Sequence, residues 1–323
     1  MYKSFFNLAR DPFELTADPA FLFPTQRHNE ALAALYYGIR RHKGFVVLTG
    51  EVGTGKTLLL RCLLQLFKQS KDVACAYLFN CRLSPTEFLG YVASDFGLPA
   101  SGKNKGEILL ELCRYVVSRG LRKLTTALIV DEAHHLSTDT LEEVRLLTNL
   151  ETTTEKLLQV ILVGQPELDD KLDSVRLRQL KQRIALRSHL EPLTANETRE
   201  YIERRLHVAG ANYSTAVMFP AETIAAVYRH SRGTPRVINT ICENALVAAY
   251  ARQMRSVTPE IIENVAEDFR LDVVGSPEID REQEAEKPDV RRAAQTLLEL
   301  YTLLQESKTH EHEWRVPALA RLP

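Results

Sequence analysis

Gly50-Glu51-Val52-Gly53-Thr54-Gly55-Lys56-Thr57 is the stretch that decides the reading of this chain. It fits G-x-x-x-x-G-K-[ST], the loop that cradles nucleotide phosphates. An apolar run, Phe45-Val46-Val47-Leu48, precedes it, and an apolar helical pattern from Leu58 to Phe67 follows. Strand, loop and helix in that order are the context the motif requires. Glycines let the backbone curl with its N–H groups inward, and the following helix adds the positive end of its dipole. Lys56 is expected to reach the β- and γ-phosphates of ATP, and the Thr57 hydroxyl to ligate Mg²⁺.

A second motif lies downstream. Ala127-Leu-Ile-Val-Asp131-Glu132-Ala-His134 places two carboxylates at the end of an apolar run. A buried strand of this kind brings Asp131 beside the phosphate loop, where it is expected to hold Mg²⁺ through water. Glu132 is expected to polarise the attacking water. The competing reading of Asp131 is a cap for the next helix. A further apolar run ends at Val163-Gly164-Gln165-Pro166. Gln165 at that tip is a candidate to orient water; otherwise it bonds the turn before Pro166. Arg183, just before the last expected strand, is a candidate to enter a neighbouring subunit's site, with Arg178 and Arg187 as competitors. Arg236, in Arg232-Gly-Thr-Pro-Arg236, is a candidate to fold back on the phosphates.

The rest of the chain supplies an α/β frame for these motifs. Strands are expected over 45–49, 73–79, 124–130, 157–163 and 184–190, with helical segments between them. Their nearly continuous apolar character predicts a parallel sheet covered on both faces. After Pro192 the pattern is helical only, opening on a capping box, Thr194-Ala-Asn-Glu197. The expected organisation is an N-terminal linker and first helix (1–44), the phosphate-loop domain (45–192) and a helical lid (193–270). An acidic linker (271–289) and an amphipathic helix with a tail (290–323) follow.

Composition narrows the class without naming a task. The chain has 323 residues, 45% hydrophobic and 26% charged, with a net charge of −1. That balance gives no global pull toward nucleic acid or anionic lipid. Five separated cysteines without a C-x-x-C pair predict buried thiols rather than a disulfide framework or zinc ribbon. No signal peptide and no membrane span is expected from the sequence. His134 and His135 show no spacing to a further metal ligand, and His310-Glu-His312 reads as an ordinary polar tail.

With these motifs the chain resembles the AAA+ ATPases of the general secretion pathway protein A type, over about residues 1–270. The resemblance rests also on Phe6-Asn-Leu8, Asp11-Pro-Phe13, Ala17-Asp-Pro19, Phe21-Leu-Phe23 and Gly164-Gln-Pro-Glu-Leu168. Leu177-Arg-Gln-Leu180, Gln182-Arg-Ile184 and Gly233-Thr-Pro-Arg236 complete it. It implies ATP hydrolysis with Mg²⁺, Gln165 as sensor 1, Arg183 as the arginine finger and Arg236 as sensor 2. It also implies that Pro12 and Phe13 lie near the adenine and that several subunits form a homo-oligomeric ring. Relatives of this type continue into a transmembrane helix and a peptidoglycan-binding region, whereas here an acidic linker and one helix follow. The expectation is therefore a cytoplasmic switch or motor, peripheral at the inner membrane, serving a secretion or exopolysaccharide-system partner. The alternative is a DNA-associated regulator of the transposition-ATPase kind, with Arg40-Arg41-His42-Lys43 and Arg119–Lys123 as phosphate contacts.

Overall fold

A computed structural model describes residues 1–79, 81–211 and 215–271. The expected acidic linker, the 290–306 helix and the tail histidines lie outside the described residues.

Helix α1 (Tyr2–Phe6) and helix α2 (Gln26–Arg40) precede the first strand, β1 (Phe45–Gly50). Then follow α3 (Lys56–Lys68), β2 (Val73–Leu78), α4 (Pro85–Asp95), α5 (Lys105–Leu121), β3 (Thr125–Val130) and α6 (Thr138–Leu147). Strand β4 (Leu158–Gly164), α7 (Glu167–Leu172), α8 (Arg178–Lys181) and β5 (Ile184–Leu190) complete the first domain. The lid contains α9 (Ala195–Val208), α10 (Thr215–Met218), α11 (Ala221–Ser231), α12 (Pro235–Ala251) and α13 (Pro259–Asp268).

The five strands are parallel, in the order β2-β3-β4-β1-β5. Alternate residues of each strand serve opposite layers. Val46, Leu48, Ala127, Ile129, Ile161 and Val163 pack under α2 and α3. Phe45, Val47, Leu128, Val130, Val160 and Leu162 face α4, α5 and α6 on the other side. Strands β1, β3 and β4 are buried along their whole length, as expected for a sheet covered twice. Strand β5 corrects that expectation: at the sheet's edge it alternates half-buried Ile184, Leu186 and Ser188 with exposed Ala185, Arg187 and His189.

The order of strands sets up the site. Connecting β1 to β2 carries the chain to the far edge, and β4 later inserts between β1 and β3. The loops after β1, β3 and β4 therefore open side by side at one edge of the sheet, which is where parallel α/β sheets bind ligands.

The lid is built as its sequence suggests, with one addition. Thr194 caps α9, and Glu197 returns the bond to the Thr194 backbone. The addition is the N-terminal segment: Tyr2, Phe6, Leu8 and Phe13 are buried in the lid's core with Ile202, Phe219, Ile241 and Ile261. Arg205 secures this segment by donating to the Pro12 and Glu14 carbonyls. It also donates to the Tyr201 hydroxyl at 2.9 Å.

Candidate functional site

The phosphate loop leaves β1 at Gly50 and enters α3 at Lys56. Gly55 holds the N-terminus of α3 in a left-handed conformation and gives it no side-chain cap. The first-turn N–H groups are thus left facing the loop, the arrangement that suits an anion. Thr54 is fully buried and ties the turn by donating to the Glu51 carbonyl at 2.8 Å. Glu51 and Val52 are exposed at its tip. From α2, His28 buttresses the loop: Nε2 lies 3.0 Å from the Thr54 carbonyl, and Nδ1 lies 2.6 Å from the Thr25 hydroxyl. Burial keeps His28 below the usual histidine range. No sequence pattern announces His28.

Lys56 is buried and donates to the carbonyls of Gly50 at 2.6 Å and Glu51 at 2.8 Å. Burial pulls its pKa down, while Glu132, Asp131, Glu51 and Glu167 pull it up. Thr57 donates to Asp131 Oδ2 at 3.0 Å. This contact joins the two motifs. Tyr77, at the end of β2, donates to the same oxygen at 3.0 Å, and the Cys81 thiol donates to the Asp131 carbonyl at 2.8 Å. Burial raises the Asp131 pKa, and the Tyr77 and Thr57 hydrogen bonds lower it in part. Beside Asp131 the Cys81 thiol is pushed up to about 12 by burial. The Asp131 backbone holds its carboxylate inward, and Oδ1 accepts from the Glu132 N–H rather than from the turn beyond.

Glu132 sits in the left-handed region at φ 54, a conformation a non-glycine side chain adopts at a cost. Its Oε2 is buried without a hydrogen bond and lies 3.4 Å from His134 Nδ1. Burial foremost, then His135, lowers the His134 pKa. The His134 ring packs against His135 with centroids 4.0 Å apart. Ligand atoms of Glu132, His134 and His135 all lie within 4.8 Å of one another, a proximity that the spacing of the histidines alone does not show.

Gln165 is half-buried at the tip of β4, and its N–H donates to His134 Nδ1 at 3.4 Å. That places it between the loops carrying Lys56 and Glu132. Arg236 stands over the phosphate loop from the first turn of α12. Its N–H donates to the Gly53 carbonyl at 3.3 Å. A Cβ on Gly53, whose φ is +84, would lie 2.6 Å from Arg236 Cβ. Gly233 is equally committed: a Cβ there would lie 1.8 Å from the Leu193 carbonyl oxygen, at the junction of the two domains.

Three expected positions have other employment in this structure. Phe13 is fully buried with its ring edge-on to Phe219 at 5.9 Å, and Pro12 is buried beside it. That burial anchors the N-terminal segment in the lid core. Arg183 donates to the Arg145 carbonyl at 3.3 Å and to Thr148 at 3.2 Å, at the end of α6. Arg187 pairs with Asp169 at 3.2 Å, and Arg178 is exposed. Of the basic residues read as phosphate contacts for DNA, Arg40 pairs with Asp72 and Arg119 donates to the Asp72 and Thr125 carbonyls, whereas Arg41, Arg122 and Lys123 are exposed. Among the described residues no helix is long and apolar enough to cross a membrane.

The oxygen donors of Thr57 and Asp131 fit a hard divalent cation such as Mg²⁺. The uncapped α3 N-terminus and buried Lys56 fit a polyphosphate.

Comparison with known proteins agrees. A family model described as an AAA domain matches residues 39–172. General secretion pathway protein A of Aeromonas hydrophila is 43% identical over 253 residues, 78% of this chain and 45% of that protein. The chain thus spans under half the length of that relative. Among solved structures, the Cdc6p protein of Pyrobaculum aerophilum matches with a TM-score of 0.62 at 20% identity, covering 81% of this chain and 71% of that one. The ORC2 protein of Aeropyrum pernix matches with a TM-score of 0.60 at 18% identity, covering 82% and 75%. At such identities these two matches establish the fold alone. The sequence relative, the domain match and the site geometry together establish that the chain belongs to the AAA+ ATPases of the general secretion pathway protein A type.

Proposed function

We propose that this chain hydrolyses ATP with Mg²⁺ and that its lid and neighbouring subunits read the state of the nucleotide. The observation that carries this reading is the Thr57–Asp131 hydrogen bond at 3.0 Å, with an unbonded Glu132 oxygen beside it. Lys56 exchanges its two carbonyl partners for phosphate oxygens, a charge-assisted replacement. Thr57 and Asp131 hold the cation, which supplies charge neutralisation on the phosphates when bound. Glu132 orients and polarises water, with Gln165 between it and the loop. Arg236 carries the presence of a terminal phosphate into α12. Glu132→Gln keeps ATP binding and stops hydrolysis, whereas Lys56→Ala loses binding. Normal turnover by the Glu132→Gln protein overturns the mechanism.

Assembly and placement belong to the same proposal. The chain works as a ring of identical subunits in the cytoplasm, held at the inner membrane by a secretion or exopolysaccharide-system partner. The 43% identity to a protein named for the general secretion pathway supports that setting. Arg183 serves as the finger only by leaving its own α6 partners, so Arg183→Ala and Arg178→Ala are the informative pair. The true finger's variant binds ATP normally and loses the rise in specific activity with protein concentration. Duplex DNA leaves the rate unchanged across a salt series.

A further inference from the structure

We infer that Glu132, His134 and His135 form a binding site for a borderline divalent cation of the zinc class, distinct from the Thr57–Asp131 oxygens, and that its occupancy arrests the ATPase. Ligand atoms of the three residues lie within 4.8 Å of one another. Glu132 Oε2 and His134 Nδ1 are already 3.4 Å apart, and a metal on Nδ1 replaces the long 3.4 Å bond that this atom accepts from the Gln165 N–H. Ligands of a tetrahedral zinc, at about 2.0–2.2 Å from the metal, lie about 3.3 Å from each other. One pair therefore has the required spacing, and the third ligand needs to close by up to about 1.5 Å. His135 is exposed, so its ring has room to make that movement. Glu132 Oε2 is buried with no hydrogen bond, an acceptor awaiting a partner.

Ligand chemistry separates this site from the Mg²⁺ position. Two imidazoles and one carboxylate suit zinc, whereas carboxylate and hydroxyl oxygens suit Mg²⁺. A strained backbone at Glu132, and the short helical turn Ala133–His135 after it, bring both rings to the side where the carboxylate points. The regulatory consequence rests on the proposed role of Glu132 in hydrolysis. A carboxylate bound to zinc has lost the lone pair that would polarise water, so metal and turnover compete for one side chain.

The test uses Co²⁺, whose visible absorption reports imidazole ligation, on the full chain without nucleotide and with Mg²⁺ in excess. The parent protein binds one equivalent with an intense band that Zn²⁺ displaces. His135→Ala weakens that binding at least about tenfold, since loss of even a supporting group costs about 10- to 100-fold. In the ATPase assay Zn²⁺ lowers the parent's rate about 100-fold, a general base being worth about 10²–10⁴. His135→Ala keeps the basal rate and loses the inhibition. An unchanged Co²⁺ spectrum in His135→Ala, or no stoichiometric binding by the parent, overturns the site. Equal inhibition of both proteins assigns the Zn²⁺ effect to displaced Mg²⁺ and overturns the brake. If the hydrolysis reading itself fails, both proteins are inactive with Mg²⁺ and no Zn²⁺ while the spectral difference remains.

Discussion

Replacing Gly53 by Ala tests whether the lid is coupled to the phosphate loop through direct contact. The new Cβ would lie 2.6 Å from Arg236 Cβ and 3.2 Å from Thr234 Cγ2. Ordinary carbon contact begins at about 3.4 Å, so the start of α12 must retreat by about 0.8 Å. The Arg236 N–H to Gly53 carbonyl bond, already long at 3.3 Å, does not survive that retreat. Its loss costs about 0.5–1.5 kcal/mol. Holding Ala at φ +84 costs about 1–2 kcal/mol more. Both penalties fall on the conformation that holds phosphate. Their sum, about 1.5–3.5 kcal/mol, corresponds to about 10- to 300-fold weaker ATP binding. Titration with a fluorescent ATP analogue measures the affinity, and hydrogen exchange over residues 234–240 reports the lid contact. Val52→Ala, at the exposed tip of the same loop, is the control and binds normally. If Gly53→Ala weakens ATP while exchange at 234–240 stays at the parent level, the coupling argument is wrong and loop strain alone is responsible.

Four further substitutions address the carboxylate and the N-terminal segment. Tyr77→Phe removes one of two hydroxyls held on Asp131 Oδ2. It raises the Mg²⁺ needed for half-maximal turnover about tenfold while sparing the rate at saturating Mg²⁺. Burial lifts the Asp131 pKa, so its folded-state contribution is fully present below the ordinary carboxylate range and is lost as pH rises through the raised value. Asp131→Asn therefore melts increasingly above the parent as pH climbs from acid to neutral, and loses Mg²⁺ binding; a gap that narrows with rising pH contradicts the assignment. Phe13→Ala destabilises the protein by about 3–5 kcal/mol through the cavity it leaves. Phe13→Leu refills most of that space and keeps ATP affinity, measured by the same titration; a folded Phe13→Leu with weak ATP binding puts the ring at the base.

The parts of this site written in consecutive residues are legible in the amino-acid sequence. The 50–57 loop needs only its flanking strand and helix, and Asp131-Glu132 needs only an apolar strand before it. Thr194–Glu197 caps its helix as expected because a capping box is a local contract. Long-range consequences stay hidden. Tyr77 and Cys81 meet Asp131 because β2 pairs with β3, which no pattern within either strand states. His134 meets Glu132 because the backbone turns left-handed at a glutamate, a local conformation that sequence disfavours. The burial of Phe13 stays hidden because its partner, Phe219, comes from a distant part of the chain. The edge strand β5 is the reverse case: its alternation is present in Ile184–Leu190 and is outweighed by the apolar runs around it.

The anchoring of Tyr2, Phe6, Leu8 and Phe13 in the lid has a consequence for how the chain is made. These residues are made before the phosphate-loop domain, and their partners Ile241 and Ile261 after it. During synthesis these apolar side chains lack their lid partners while the whole phosphate-loop domain is translated. That domain can close its own two core layers meanwhile, since neither draws on α1. The lid cannot close until its earliest and latest residues coexist. The lid core is therefore completed only after the phosphate-loop domain between its two contributing segments has been made.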